Sequence, residues 1–194
     1  MKLCGLTGGV GMGKSTAAGF LSELGARIVD TDEIAREIVQ PDKPALAEIK
    51  KHFGAAFIAP DGSLNRDALA HVVFNDPVAL KKLEGILHPK IREHWLALVN
   101  QWRDENCALA VVVIPLLFET EAENEFDKII CVACSPGSQR ERLRSRGWKE
   151  NQIDRRIAAQ MPIEQKIARS HFVVWTEGAP EVHRRQIAEI FGKI

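Results

Sequence analysis

The sequence predicts an α/β fold in which a doubly wound parallel sheet carries an all-helical insertion and a helical lid. Three observations lead there. Apolar runs that read as strands alternate with helical patterns at both ends of the chain. The first strand and helix bracket Gly8-Gly9-Val10-Gly11-Met12-Gly13-Lys14-Ser15-Thr16, which fits the phosphate-binding pattern G-x-x-x-x-G-K-[ST]. Residues from about 45 to 105 read as helix after helix with no convincing strand.

Lys2 to Leu6 reads as a short buried strand, and Lys14 to Leu24 as a helix ended by Gly25. A second strand is expected at Arg27 to Asp30, with a helix opening near Asp32 that buries Ile34 and Ile38. Gln40-Pro41-Asp42-Lys43-Pro44 stops it. In the helical section Leu46, Ile49 and Phe53 share one face, and Pro60-Asp61-Gly62 is a turn. Asn65 caps a helix expected to reach Phe74. Asp76-Pro77 sets a capping carboxylate before a proline at the first helical position. His88-Pro89 is expected to separate two helices, the second carrying Ile91, Trp95, Leu98 and Trp102 on one stripe. The core resumes with strands at Leu109 to Ile114 and Lys128 to Cys134. From Gln139 to Gln160 comes an arginine-rich helical pair split at Gly147. A last strand, Phe172 to Trp175, precedes a closing helix from Pro180 to Phe191.

The glycine-rich loop explains itself chemically. Backbone N–H groups that converge on phosphate oxygens need residues able to take positive φ and to leave space. Gly8, Gly11 and Gly13 meet both needs, and the helix starting near Gly13 adds its unpaired first-turn N–H groups. Lys14 offers a point charge to the β- and γ-phosphates, and Ser15 a hydroxyl to Mg²⁺. The chain is therefore expected to bind a nucleoside triphosphate.

Asp30-Thr31-Asp32 lies at the carboxyl end of the second strand, the edge where open α/β sheets bind ligands. If the chain stays extended, both carboxylates project to one side, toward the phosphate loop. One would assist the metal and the other accept a hydroxyl proton; the competing reading is that Asp32 caps the next helix while Asp30 is solvated. Arg140 with Arg144, and Arg142 with Arg146, fall four apart on a helix, and Arg155 and Arg156 follow. Such like-charge spacing is best understood if the helix meets an anion, as a lid over a triphosphate would. An ordinary salt-bridged helix using Glu141 and Glu150 is the alternative. Glu119, past the third strand, is either directed to the metal or paired with an arginine. His88 by itself reads as a capping or packing residue.

Composition narrows the rest. At 194 residues the chain suits one well-buried core with insertions. Its net charge of zero gives no general case for nucleic acid or an anionic membrane. No apolar stretch nears the roughly 20 residues that span a bilayer, and Met1-Lys2 leads straight into a strand, so a soluble cytoplasmic protein is expected. Cys131 and Cys134 have redox-motif spacing, but three positions apart on a strand they face opposite sides. With Cys4 and Cys107 they read as inert thiols. Nothing in the pattern sets an oligomeric state.

Together these residues resemble the dephospho-coenzyme A kinase family. The resemblance rests on Gly5 to Ser15, Val29-Asp30-Thr31-Asp32, Leu87-His88-Pro89, Pro115-Leu116-Leu117-Phe118-Glu119, Gln139 to Leu143 and Arg156 to Gln160, in the family's order across almost the whole chain. It implies a P-loop NTPase core (1–32, 106–138 and 161–194), a helical acceptor domain (33–105) and an arginine lid (139–160). The implied reaction is ATP-dependent phosphorylation of the ribose 3′-hydroxyl of dephospho-CoA, with Mg²⁺, as the last step of coenzyme A synthesis. By the same resemblance, Gly8, Gly9, Val10, Gly11, Met12, Gly13, Lys14, Ser15 and Thr16 hold ATP, with Arg142 beside them. Asp32, Lys14 and Arg140 act catalytically, and Asp30, Asp32, His88 and Glu119 serve the acceptor. Two positions depart from the family pattern: Met12 stands for a usual serine, and Ser170 to Gly178 carries His171 for Asp and Thr176 for Asn, near the expected adenine pocket. A kinase of another nucleotide-like alcohol or a nucleoside monophosphate is the nearest alternative. A GTPase switch would need N-K-x-D and D-x-x-G motifs, and neither is evident.

Overall fold

A computed structural model describes residues 1–73 and 75–194. The chain runs β1 (Lys2–Gly8), α1 (Lys14–Glu23), β2 (Arg27–Asp30), α2 (Thr31–Glu37), α3 (Pro44–Phe53), α4 (Arg66–Val73) and α5 (Pro77–Asp104). It continues with β3 (Leu109–Val113), β4 (Lys128–Ala133), α6 (Pro136–Ser145), α7 (Glu150–Ala158), α8 (Ile163–Arg169), β5 (Phe172–Trp175) and α9 (Pro180–Phe191). It divides into two compact units, Met1–Val29 with Trp102–Ile194, and Asp30–Gln101.

The first unit is built on a parallel sheet of five strands among the described residues, in the order β2-β3-β1-β4-β5. The register sets Cys4 beside Val111 and Lys128, and Val132 beside Gly8 and Val174. A parallel sheet needs cover on both faces, so its central strands read as unbroken apolar runs. Cys4, Leu6, Val111, Val113, Ile130 and Val132 are accordingly sealed, against Ala17 and Leu21 of α1 and Ile187 and Ile190 of α9. Beyond β5, the edge strand, Gln186 uses its side-chain amide as a substitute neighbour. Its Oε1 accepts from Trp175 N–H and its Nε2 donates to Trp175 O, both at 2.9 Å. That occupies backbone groups which an exposed edge would offer to another chain.

The second unit packs helices around Val39, Ala45, Ile49, Leu69, Val73 and Ile86. Asn65 Oδ1 accepts from Ala68 N–H at 3.1 Å at the start of α4, and Asp76 Oδ1 from Val78 N–H at 2.8 Å at the start of α5. These are the caps their residue types favour. The helix expected to reach Phe74 is followed to Val73; Phe74 lies outside the described residues.

One expectation is corrected here. His88-Pro89 does not separate two helices: α5 runs through Pro89 without interruption. The proline removes one rung, at the carbonyl of Gly85, a loss of roughly 3 kcal/mol relative to alanine in an exposed helix. Burial elsewhere along α5 outweighs it, with Ile86, Trp95 and Val99 all sealed. Helix α8 carries no signal in the sequence. Seven residues cover barely two turns, and the side chain that this helix buries is a lysine, Lys166.

Candidate active site

The phosphate loop leaves β1 at Gly8, whose φ is 143°, and enters α1 through Gly13, with φ 98° and ψ 20°. A side chain at Gly8 would put its Cβ 2.2 Å from the carbonyl oxygen of Val132 on the neighbouring strand. No backbone shift short of breaking β4 relieves that. Lys14 lies folded over the loop, its Nζ donating to Gly8 O at 2.9 Å and Gly9 O at 3.0 Å. Ser15 and Thr16 sit exposed in the first turn of α1. Met12, by contrast, is 2% exposed and fills the space beneath the loop.

Val10, at the crest, is held from both sides. Its N–H donates to Gln160 Oε1 and its carbonyl accepts from Gln139 Nε2, each at 2.8 Å. No pattern in the sequence ties either glutamine to the loop. Side-chain spacing says nothing about contacts 150 residues apart in sequence.

The arginines divide. Arg140 pairs with Glu150 at 3.1 Å and Asp154 at 2.5 Å, and Arg144 also pairs with Glu150, so α6 and α7 are tied by charge. These ion pairs hold the Glu150 carboxyl below its ordinary range, the Arg144 contact first and Arg140 with it. Arg142 instead reaches the core. It donates through Nη1 to Thr176 Oγ1 at 2.8 Å, and through Nη2 to Thr176 O. Thr176 Oγ1 donates on to Met12 O at 2.9 Å. The Thr176 hydroxyl thus joins α6 to the phosphate loop.

Beside this contact is a groove of about 490 Å³ lined by Ser138, Glu141, Arg142, Arg146, Glu177 and Gly178, among others. Glu177 accepts from Ser135 N–H and Ser138 Oγ at 2.9 Å and from Trp175 Nε1 at 3.1 Å. Those donors, Ser135 first, hold its carboxyl down at about 2, so it is ionised throughout the neutral range. The other departure, His171, accepts from Ile129 N–H through Nδ1 at 3.1 Å. A ring nitrogen there serves the acceptor function that an aspartate oxygen would.

Glu119 is paired with a lysine rather than an arginine. Lys166 Nζ lies 2.8 Å from Glu119 Oε1 and 3.1 Å from Oε2, and Met161 N–H donates to Oε1 at 2.8 Å.

Asp30, Asp32 and His88 belong to the helical unit, and the loop and arginines to the sheet unit. The condition for both carboxylates to share one side, an extended chain through Asp32, is not met. Helix α2 begins at Thr31, and the capping carboxylate is Asp30, whose Oδ1 accepts from Asp32 N–H at 2.8 Å. The first turn of a helix leaves orphan N–H groups, and the Asp30 carboxylate, on extended backbone before it, satisfies that of Asp32. Asp32 stands exposed on the first helical turn. His88 is exposed on α5.

Among the described residues no cluster of three or more His, Cys, Asp or Glu could hold a metal by itself. A Ser15 hydroxyl in the first turn of α1 does fit Mg²⁺, which takes few protein ligands and keeps waters and phosphate oxygens. Cys4 and Cys131 are buried thiols pushed up by desolvation to about 12 and about 11, which makes them inert. Among the described residues no helix is long and apolar enough to cross a membrane.

Comparison with known proteins agrees with this geometry. The family model described as dephospho-CoA kinase matches residues 2–181. A dephospho-CoA kinase of Bdellovibrio bacteriovorus is 44% identical over 174 residues, covering 90% of this chain and 87% of its own. A crystal structure of a Thermus thermophilus protein superposes with a TM-score of 0.87 at 30% identity, covering 100% of this chain and 97% of that one. The dephospho-CoA kinase of Campylobacter jejuni gives 0.72 at 25% identity, covering 98% and 96%.

Proposed function

This chain belongs to the dephospho-CoA kinase family, and we propose that its phosphate loop, Asp30–Asp32 pair and arginine lid share the work of phosphoryl transfer. It has dephospho-CoA kinase activity, the final step of coenzyme A biosynthesis. The acceptor atom in this reading is the ribose 3′-hydroxyl. The observation that carries it is the preformed loop, in which Gly8 has no room for a side chain and Lys14 Nζ lies over its carbonyls.

In this mechanism the N–H groups of the loop from Gly11 to Thr16 take the phosphates, and Lys14 leaves the Gly8 and Gly9 carbonyls for the β- and γ-phosphates. Ser15 would hold Mg²⁺ through its hydroxyl, and the ion would supply charge neutralisation on the nucleotide. Asp32, exposed at the start of α2, accepts the hydroxyl proton late in transfer, while Asp30 holds that helical turn in place. His88 contacts the acceptor. The groove beside Arg142 and Gly178 takes the adenine, with Thr176 in place of the usual asparagine.

Arg140 exchanges Glu150 and Asp154 for phosphate oxygens as the lid closes, stabilising the transferring charge and excluding water. The cytoplasm is the setting for this reading, because the reaction draws on ATP.

Asp32→Asn should abolish transfer, by roughly 100-fold or more, while ATP binding is retained. Single-turnover ADP release in the presence of dephospho-CoA measures it, and near-wild-type turnover would remove Asp32 from the base role. Substrate choice is tested by ADP release with dephospho-CoA against AMP, pantetheine and adenosine. A response to AMP but not to dephospho-CoA would overturn the acceptor.

A further inference from the structure

Among the described residues, Lys166 is the one lysine, arginine or carboxylate that is buried, and its side chain is wholly sealed. A buried ammonium is destabilising unless its protons have acceptors, and an apolar side chain of similar volume would often serve stability as well or better. Here the acceptors exist. Lys166 Nζ donates to Pro115 O at 2.7 Å as well as to the Glu119 carboxylate. Pro115 O also accepts from Thr7 Oγ1 at 3.3 Å, and Thr7 immediately precedes Gly8.

The other end of the network is the exit of the lid. Glu119 Oε1 holds Met161 N–H, and the residue before it, Gln160, accepts from Val10 N–H. One charge pair, with its ammonium sealed and its carboxylate partly exposed, therefore links the strand that feeds the phosphate loop to the segment that leaves α7. Gln160 then reaches from that segment to the loop's crest. Mere filling of the core requires none of these polar partners.

Resting on the kinase reading above, we propose that Lys166, Glu119 and Gln160 are positioning residues for phosphoryl transfer. The Lys166–Glu119 pair anchors the chain leaving the lid, and Gln160 uses that anchor to hold Val10 at the height that nucleotide binding requires. Glu119 then acts through Met161 and Gln160, without touching substrate. Because a loop misplaced by about 1 Å can lose roughly 100-fold in rate, such anchoring has a kinetic consequence.

Gln160→Met keeps the side chain's length and removes the acceptor for Val10 N–H. The dissociation constant of a fluorescent N-methylanthraniloyl ATP with Mg²⁺ should weaken about fivefold or more. The kcat/KM for ATP should fall roughly tenfold or more, while KM for dephospho-CoA stays unchanged. Lys166→Met should show the same split between substrates. If it does not fold, Lys166→Met with Glu119→Leu removes both charges together and takes its place. Combining Gln160→Met with the Lys166 substitution should cost less than the product of the separate losses, since both act on one loop.

Wild-type nucleotide affinity and ATP kinetics in folded Gln160→Met would overturn the proposal. So would a lowered melting temperature with both ATP constants intact, the signature of a purely structural contact. If the unsubstituted chain releases no ADP with dephospho-CoA, the kinase reading fails. The affinity comparison still decides the positioning role, because it needs no acceptor.

Discussion

At Gly8 the phosphate loop meets a limit set by another strand. Its φ of 143° is open to glycine, and the carbonyl of Val132 lies 2.2 Å from where a Cβ would stand. Val132 is part of β4, paired with β1 and β5, so it has nowhere to move. Gly8→Ala should therefore destabilise the fold by about 1–3 kcal/mol and weaken ATP binding. Thermal melts and nucleotide titration check both, and an unchanged melting temperature would refute the close approach. Met12 shows the converse. A serine at this position would leave the space beneath the loop less filled, whereas the thioether packs into it and only the Met12 carbonyl is used, by Thr176. The two polar departures, His171 and Thr176, each keep a specific hydrogen bond, to Ile129 and to Met12 with Arg142.

Helices α6 and α7 illustrate how an element can be stable and still be ready to change partners. Arg140 and Arg144 sit one turn apart, a repulsive arrangement by themselves, and Glu150 of α7 relieves it by pairing with both. These pairs are exposed, so they are weak and screened by salt. A weak pair can be surrendered to a triphosphate. Glu150→Gln should accordingly lower KM for ATP about twofold to fivefold, by leaving Arg140 and Arg144 less engaged before the nucleotide arrives. The difference from the parent should shrink as salt rises from about 50 mM to 500 mM. Initial rates across that range are the measurement, and a higher KM for ATP in the variant would count against a lid that exchanges these partners. Helix α5 makes a related point, since Pro89 sits inside it where propensity alone would end it. Residues such as Ile86, Trp95 and Val99 bury enough surface to carry the helix past the missing rung.

At the scale of the whole molecule, His183 is one group that makes stability depend on pH. It is buried on α9, edge-on to Phe20 of α1 at 5.2 Å between ring centroids, and its Nε2 has no hydrogen-bond partner among the described residues. Burial, with the Arg142 charge second, lowers its pKa below the ordinary 6.5. The unfolded chain therefore takes up a proton at a pH where the folded chain refuses it. Stability is full above about 6.5 and declines as pH falls below it, toward the lowered folded value. Melting temperatures at pH 7.5 and 5.5 should show this fall, and His183→Leu should reduce it. An equal fall in the variant would mean that other groups govern the acid limb. Glu177 acts only at far lower pH, since its stabilising hydrogen bonds are lost as pH falls through about 2.

The sequence alone determined the phosphate loop, the sheet strands and the helical insertion, because these depend on local spacing. Glycines at Gly8, Gly11 and Gly13, apolar runs such as Leu109 to Val113, and caps such as Asn65 and Asp76 act over a few residues. Tertiary structure decided what spacing cannot express. It carried α5 through Pro89, gave the cap of α2 to Asp30, and formed α8 around a buried lysine. It also brought Gln139 and Gln160 to Val10, Arg142 to Thr176, and Lys166 to Glu119. A hydrogen bond between residues far apart in the chain leaves no periodic trace, since either partner reads as an ordinary polar residue until the fold supplies the other.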